Sequence, residues 1–256
     1  AGDEGLKVDL ASGADAAPLR PWRWDAVVNL AGPVARASGT WGAERDVVLD
    51  HVRIVLGLRA AIPAAWTGRL VHTSSMTVYG APETQPVGEA HPRRPAFMYA
   101  LAKVLAEDVL TTSFAGADRW ILRLPGLFSR ERRAGGLYHF VRAARRGEPL
   151  AITATAPTPW DVLDVEDAAE GVARALDAGA RDPGALNVSY GEPVELVSMA
   201  ERIAAFAPGA RVENRGGATH PVLQLDVTRA AALFGGWPPA RLEDRLARLW
   251  RAWEDA

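Results

Sequence analysis

The sequence predicts an α/β protein built on a parallel β-sheet with helices covering both of its faces. Short apolar segments rich in Val, Ile and Leu alternate along the chain with longer segments whose apolar residues follow a helical period. Strands that are apolar throughout are typical of a parallel sheet buried on both faces. A chain of 256 residues is long enough for one large domain, or for a domain with a small lobe.

These patterns place the individual elements. In the first half of the chain, strands are predicted at 24–32, 68–75 and 118–126, and helices at 44–62 and 96–114. In the second half, the pattern predicts a helix in 137–150 that leads into a short strand, and a strand followed by a helix in 160–179. It also predicts a strand, turn and helix in 184–207, and a C-terminal amphipathic helix from residue 240 onward.

The composition excludes several classes of protein. The chain has no cysteine, which rules out disulfide scaffolds, cysteine metal sites and thiol nucleophiles, and its histidines show no metal-ligand spacing. The 29 basic and 31 acidic residues give a formal net charge of −2, which does not favour a nucleic-acid surface. With no signal peptide and no apolar stretch of about 18 residues, we expect a cytoplasmic protein with a small-molecule substrate and no membrane contact.

Tyr99 and Lys103 lie four residues apart on the predicted helix 96–114, so their side chains share one face. Lys103 is one of two lysines among 29 basic residues, which indicates a role that the planar, always protonated Arg could not fill. A free phenol has a pKa of ~10, and a nearby ammonium lowers that pKa toward the working range of a proton donor or acceptor. The alternative is an ordinary pair on a helix surface.

Ser74 and Ser75 end the buried strand 68–75. Ligands of parallel sheets bind at the carboxyl ends of the strands, where a hydroxyl can hydrogen-bond a substrate carbonyl or hydroxyl. The alternative is that both serines only stabilise the turn. Their occurrence together with Tyr99 and Lys103 favours a catalytic interpretation for Ser75.

The chain resembles the extended short-chain dehydrogenase/reductases, the NAD-dependent epimerase/dehydratase family, in five motifs that occur in the family's order and spacing: DAVVNLAG, VHTSSMTVYG, MYALAKVLAED, ILRLPGLF and DVLDVEDAAEGVARAL. The resemblance implies a Rossmann-like, doubly wound parallel sheet with a small C-terminal substrate lobe. Residues 1–150 would form the cofactor-binding domain, without its first βαβ unit. Residues 151–256 would form mainly the substrate lobe, with segments returning to the Rossmann sheet.

The resemblance also implies roles for individual residues. Tyr99 would be the catalytic acid and base, Lys103 would hold the nicotinamide ribose and lower the pKa of Tyr99, and Ser75 would hydrogen-bond the reacting oxygen. The implied contacts to NAD or NADP are Asp9, Leu10, Ala31, Gly32, Ser74, Tyr99, Lys103 and Pro125. The implied contacts to the substrate are Ser75, Thr77, Gly126 and Trp160.

Three departures from the family pattern bear on function. The 256 residues contain no G-x-x-G-x-x-G turn to bind the pyrophosphate, which leaves open whether a segment precedes residue 1 or the protein lacks this cradle. Met76 and Thr77 stand where the dehydratases carry an Asp-Glu pair, so elimination of water is not expected. Gly126 and Trp160 stand where epimerases usually carry Asn and a diphosphate-binding Arg, and RLPGLF is more similar to the keto-sugar reductases.

The sequence therefore predicts an NAD(P)-dependent reductase or epimerase that acts on a hydroxyl or ketone carbon of a sugar nucleotide or related activated sugar. The alternative is a relative that keeps the fold and binds a ligand or partner without redox turnover. The family resemblance further implies a homodimer that pairs helices 44–62 and 96–114. The choice between NAD and NADP depends on a strand that the sequence does not contain.

Overall fold

A computed structural model describes residues 8–12, 17–19, 21–33, 40–154, 158–218 and 223–253. The strands are β1 (Ala26–Asn29), β2 (Arg69–Ser75), β3 (Asp118–Leu124), β4 (Gly126–Phe128), β5 (Leu150–Ala154), β6 (Pro159–Trp160), β7 (Val162–Asp164), β8 (Gly184–Asn187), β9 (Val194–Glu195) and β10 (Val212–Ala218). The helices are α1 (Trp41–Ala61), α2 (Met98–Ser113), α3 (Gly136–Arg145), α4 (Val165–Asp177), α5 (Leu196–Ala204), α6 (Thr228–Phe234) and α7 (Leu242–Ala252), with short 3₁₀ helices at Ala17–Leu19 and Met76–Tyr79.

The chain divides into two compact units that interleave along the sequence. The first unit comprises Ala1–Gly80, Pro92–Arg123 and Ala175–Leu186. The second unit comprises Ala81–His91, Leu124–Arg174 and Asn187–Ala256. The functional division at residue 150 that the family resemblance implies stays a prediction.

The first unit contains a four-stranded sheet in the order β1-β2-β3-β8, and β1 runs parallel to β2. Both faces of the sheet are buried, because consecutive residues of β2 such as Leu70 and Val71 point to opposite faces and both have no exposed surface. This confirms the parallel sheet that the apolar segments predicted.

Helices α1 and α2 pack together on one face of this sheet. The core there joins residues from both helices and from three strands: Val27, Val55, Leu58, Ile62, Leu70, Ala106, Leu110, Phe114, Ala117 and Ile121. The inward face of α2 also includes two charged residues, Lys103 and Glu107, both almost completely buried. Charged side chains at that depth need partners, since an unpaired buried charge is strongly destabilising.

The second unit is built from three two-stranded pairs and amphipathic helices. The pairs β4–β7 and β5–β10 are parallel, and β6–β9 is antiparallel. Each helix buries one apolar stripe at helical spacing, as in α7, where Leu242, Leu246 and Leu249 are buried.

The predicted elements are present, with differences at their ends. The strand predicted at 118–126 stops at Leu124, because Pro125 has no N–H to continue the ladder, and β4 begins after it. Helix α3 ends at Arg145 instead of running toward residue 150, because Gly147 adopts a positive φ of 66° just after it. None of the helices within the described residues has the length and apolarity needed to cross a membrane.

One partly buried arginine, Arg69, connects several segments at the edge of the first unit. Arg69 Nε donates to Asp118 Oδ2 at 2.8 Å, and the guanidinium lies 5.1 Å from the Trp120 ring centroid. The two terminal nitrogens donate to four backbone carbonyls, those of Ala175, Leu176, Ala178 and Ala180. Burial tends to raise the pKa of Asp118, but hydrogen bonds from the Asp182 N–H and from Arg69 outweigh it and lower that pKa.

We expect Arg69→Met to lower the free energy of unfolding by about 3 kcal/mol or more, because it removes the cation paired with the buried Asp118 carboxylate and the donor to several backbone carbonyls. The measurement is urea denaturation followed by circular dichroism. The control is Arg53→Met, which removes an exposed pair with Asp50 and should change stability by no more than about 0.5 kcal/mol. Equal effects of the two substitutions would contradict the structural role of Arg69.

Candidate active site

Ser75 lies where β2 passes into the 3₁₀ helix Met76–Tyr79. It is both the last residue of the strand and the N-cap of the helix. Its Oγ accepts hydrogen bonds from the Thr77 N–H at 3.3 Å and from the Thr77 hydroxyl at 3.0 Å. Because Ser75 acts as the acceptor in both, its own hydroxyl proton is available for a ligand oxygen.

Ser74 points to the opposite side of the strand, as alternation along β2 requires. Its hydroxyl is buried and donates to Glu107 Oε1 at 2.5 Å. The structure thus directs the Ser74 hydroxyl into the interior of the first unit. The cofactor contact that the resemblance implies for Ser74 stays a prediction.

Tyr99 and Lys103 occupy one face of α2, as their spacing predicted. The Lys103 ammonium lies 5.7 Å from the centroid of the Tyr99 ring and donates to the Thr73 carbonyl of β2 at 3.1 Å. The Tyr99 ring is also packed against His51, edge to face at 5.7 Å, and stacked near Phe97 at 6.4 Å. Lys103 therefore ties the helix that carries Tyr99 to the strand that ends at Ser75.

Burial lowers the pKa of Lys103 from its ordinary 10.5 to about 8, and the negative charge of Glu107 opposes that decrease. Lys103 is only 6% exposed. At neutral pH most of the Lys103 side chains are still ammonium ions, whereas at pH 9 most are neutral amines. The charge at this position therefore changes with pH between about 7 and 9, whereas an arginine would stay charged.

Gly32, which follows β1, lies against the same ammonium. A Cβ atom at this position would come within 2.9 Å of His51 Nε2 and 3.5 Å of Lys103 Nζ, so a side chain would not fit without displacing them. Its neighbour Ala31 donates its N–H to Asn29 Oδ1 at 3.1 Å. The structure therefore brings Gly32 and Lys103 together, and the cofactor contacts that the resemblance implies for Ala31, Gly32 and Lys103 stay predictions.

His51 on α1 is a site residue that sequence reasoning missed. Its Nδ1–H donates to the Val47 carbonyl at 2.8 Å, so in the neutral ring Nε2 carries a lone pair. Nε2 is buried and has no hydrogen-bond partner in the described part of the chain. Burial lowers the pKa of His51, and Lys103 lowers it further, so Nε2 remains an acceptor at neutral pH.

His72 is a buried histidine within β2. The Asn29 amide orientation is fixed by the Ala31 N–H at its Oδ1, so Asn29 Nδ2 donates to His72 Nδ1 at 3.0 Å. Burial lowers the pKa of His72 to about 3, with Lys103 and His51 adding to the effect. His72 is therefore uncharged and is not a general base at neutral pH.

Asp9 and Leu10, the other predicted cofactor contacts of the first unit, form a turn beside α1. Asp9 Oδ1 accepts the N–H groups of Ala11 and Ser12 at 3.0 and 3.3 Å. The Leu10 carbonyl approaches Gly57 so closely that a Cβ there would lie 2.6 Å from it. Asp9 thus stabilises its own turn, and that turn is held against the helix.

The predicted substrate residues Gly126 and Trp160 lie together in the second unit. They line a cavity of about 120 Å³ with Leu127, Arg132 and Gly136. A Cβ atom at Gly136 would lie 2.8 Å from the Trp160 ring, so the indole lies directly against this backbone. Pro125, the predicted nicotinamide neighbour, is buried immediately before β4.

A buried ion pair behind Ser74 was also missed. Arg123 on β3 donates from Nε to Glu107 Oε1 at 3.0 Å and from Nη2 to Oε2 at 2.7 Å. Arg123 Nη1 donates to the Tyr79 hydroxyl at 2.9 Å, and Arg93 Nη1 donates to Glu107 Oε2 at 3.3 Å. The spacing of Glu107, four residues after Lys103 on the same helix face, was the signal that could have revealed it.

Comparison with known proteins decides the family. The model of the NAD dependent epimerase/dehydratase family matches residues 5–189. The chain belongs to this family. Membership confirms the resemblance seen in the motifs and makes the protein an enzyme of the extended short-chain dehydrogenase/reductase type, dependent on a nicotinamide dinucleotide.

Individual relatives support this assignment. A UDP-glucose 4-epimerase of Azospirillum brasilense is 27% identical over 92% of this chain and 74% of its own. The solved structure of MoeE5 in complex with UDP-glucuronic acid and NAD has a TM-score of 0.78 and 23% identity, covering 96% of this chain and 84% of its own. WbmH of Bordetella bronchiseptica, in complex with NAD+, has a TM-score of 0.75 and 25% identity, covering 94% and 80%. These likenesses confirm the Rossmann-like fold.

The residues around Lys103 fit the family's cofactor. Gly32 has no side chain to block a ligand, Lys103 makes one hydrogen bond within the described residues, and His51 Nε2 is a buried acceptor without a partner. A ribose diol both donates and accepts hydrogen bonds, which matches an ammonium and an imidazole lone pair.

We expect Lys103→Met to stabilise the protein at neutral pH by about 2 kcal/mol, because a buried ammonium with a lowered pKa favours the unfolded chain. The unfolded state binds more protons between about pH 8 and pH 10.5, so the stability of the wild type rises through that range. The gain in free energy of unfolding from Lys103→Met should therefore be greatest below about pH 8 and decrease toward pH 10.5. Urea denaturation across this range measures it; a difference that does not vary with pH would contradict the buried charge.

Proposed function

We propose that the protein is an NAD- or NADP-dependent reductase or epimerase that acts on a hydroxyl or ketone carbon of a nucleotide sugar. The observation that carries the proposal is the position of the Lys103 ammonium, beside the Tyr99 ring and bonded to Thr73 two residues before Ser75. Two of the relatives named above are a UDP-glucose 4-epimerase and MoeE5, which has UDP-glucuronic acid bound. They support a nucleotide sugar as the substrate class.

In this proposal each residue has one task. Tyr99 moves a proton to or from the reacting oxygen, and the Lys103 charge makes its phenol a stronger acid. Ser75 donates its hydroxyl proton to the same oxygen and fixes its position. Gly32, Lys103 and His51 would hold the nicotinamide ribose, with Asp9 and Leu10 as predicted contacts of the adenine end. When bound, the nicotinamide supplies the acceptor and donor of the hydride.

The second unit would supply two of the predicted substrate contacts, Gly126 and Trp160. Trp160 presents an indole where the family's epimerases usually carry a diphosphate-binding Arg, so any phosphate contact must come from other residues. Arg132, which lines the same cavity as Trp160 and Gly126, is the candidate cation. With Met76 and Thr77 in place of an Asp-Glu pair, dehydration is not proposed.

The direct test is cofactor binding and turnover by the full-length protein. We expect NADH or NADPH to bind at micromolar concentrations, and UDP-sugars or their keto forms to be interconverted or reduced. Net consumption of reduced cofactor would identify a reductase, whereas interconversion without net consumption would identify an epimerase. No binding of either cofactor at millimolar concentrations would contradict the proposal and favour a non-catalytic relative.

Tyr99→Phe should reduce turnover by about 10²- to 10⁴-fold and leave the fold intact, because it removes only the proton-exchanging hydroxyl. The measurement is kcat on the identified substrate, with circular dichroism as a check on folding. Tyr138→Phe is the matched control, since Tyr138 lies in α3, stacked edge to face on Trp253. A loss of less than about tenfold in Tyr99→Phe would exclude Tyr99 as the acid and base.

We further propose a homodimer that pairs α1 and α2 of each subunit. Large apolar side chains are exposed on one face of α1, where Trp41, Leu49 and Leu56 are 68%, 38% and 49% exposed, and Phe97 before α2 is 54% exposed. Exposed apolar residues that share a helix face mark an interaction surface.

Leu56→Glu should therefore convert a dimer into a monomer, measured by light scattering at micromolar concentration. Val165→Glu is the control, because Val165 is equally apolar and 40% exposed but lies in the second unit. A wild-type protein that is already monomeric under these conditions would show that the exposed face of α1 has another purpose.

A further inference from the structure

Glu107 connects four segments of the first unit through one carboxylate. It accepts hydrogen bonds from Ser74 of β2, from both Nε and Nη2 of Arg123 on β3, and from Arg93 in the loop before α2. Glu107 is 2% exposed and Arg123 is 4% exposed, so these bonds are shielded from water. Charge-assisted, buried hydrogen bonds of this kind are strong and strict in geometry.

The partners of Glu107 adjoin the residues proposed to react. Ser74 directly precedes Ser75. Tyr79, which binds Arg123, ends the 3₁₀ helix that Ser75 begins. On α2, Glu107 lies one helical turn from Lys103 and two turns from Tyr99. The carboxylate thus links the strand end that carries Ser75 to the helix that carries Tyr99 and Lys103.

We propose that Glu107 is a positioning residue for the reaction: through its buried hydrogen bonds to Ser74 and Arg123, it fixes Ser75 relative to Tyr99 and Lys103. This inference rests on the proposed function of the same site. A displacement of about 1 Å between reacting groups can reduce a rate by about a hundredfold, so one rigid link between the two segments has a large effect on turnover.

The electrostatic part of the role follows from the surroundings of Lys103. The titratable groups that face it are His51 on α1, His72 on β2, and Tyr99 and Glu107 on α2. Both histidines are neutral at neutral pH, so Glu107 is the anion that supports the ammonium. Burial lowers the pKa of Lys103, and Glu107 acts against that decrease.

Arg123 pairs with the same carboxylate, but as a cation it does not support the positive charge of Lys103 as Glu107 does. Burial tends to lower the pKa of Arg123, but the hydrogen bonds and charge of Glu107 raise it, so Arg123 stays a cation. The buried cluster of Lys103, Glu107 and Arg123 therefore carries one net positive charge. Removing the carboxylate would leave two neighbouring cations without an anion between them.

The test compares Glu107→Gln and Ser74→Ala with the wild type in the full-length protein. We expect Glu107→Gln to lower kcat by at least about tenfold, and to move the alkaline limb of the pH profile of kcat/KM to lower pH as Lys103 loses its proton more easily. Ser74→Ala keeps the ion pair and removes one bond, so it should fold and lower kcat by about threefold. Glu170→Gln, which breaks an exposed pair with Arg174, should match the wild type.

The protonation of Lys103 can be followed without turnover. Because the 256-residue sequence has only two lysines, protein labelled with ¹³C at the lysine Cε carbons gives few signals, and Lys103→Arg identifies the one from Lys103. We expect this signal to titrate near pH 8 in the wild type and at lower pH in Glu107→Gln.

The outcomes separate the two proposals. If the wild type turns over substrate but Glu107→Gln and Ser74→Ala leave kcat and the pH profile unchanged, the positioning role is wrong and the proposed function stands. If Glu107→Gln does not fold, Ser74→Ala decides alone: an unchanged kcat overturns the role. If the wild type binds no nicotinamide cofactor, the proposed function fails and this role fails with it.

Discussion

The burial of the Lys103 ammonium is the constraint on which the structure of the first unit depends. A lysine in the interior loses its hydration, and the fold offsets that loss with a backbone carbonyl from Thr73 and with the charge of Glu107. Glu107 in turn needs Arg123 and Ser74 to satisfy its oxygens. Lys103 and Glu107 thus join α2 to β2 and β3, beside the segment that ends at Ser75.

The sequence predicted the alternation of strands and helices and the face shared by Tyr99 and Lys103, because hydrophobic period and helical spacing are local properties. It did not predict Glu107 and Arg123 as a pair, since they are 16 positions apart and meet only when β3 packs beside α2. His51 was missed for a similar reason: nothing local shows that Gly32, a remote residue, lies against its Nε2. The family motifs predicted a cofactor contact for Gly32, but they did not indicate His51 beside it.

The departures from the family pattern reduce the number of reactions that can be proposed for this protein. Tyr99, Lys103 and Ser75 are kept, whereas the positions of the dehydratase acids hold Met76 and Thr77. In the second unit, an indole at Trp160 packs on the glycines of a small cavity. In the proposed function, the retained residues would serve proton exchange at a hydroxyl or ketone oxygen.

In the proposed function, hydride transfer between a nicotinamide and the sugar is coupled to proton exchange between the sugar oxygen and Tyr99. The most direct measurement is the near-ultraviolet absorbance of the cofactor when the cofactor-loaded, full-length protein is mixed rapidly with a UDP-sugar or its keto form. We predict a rapid change in the reduced-nicotinamide band in the wild type and a change at least about a hundredfold slower in Tyr99→Phe. Binding of both cofactor and sugar with no change in that band, in the wild type and across the series of sugars, would contradict the claim.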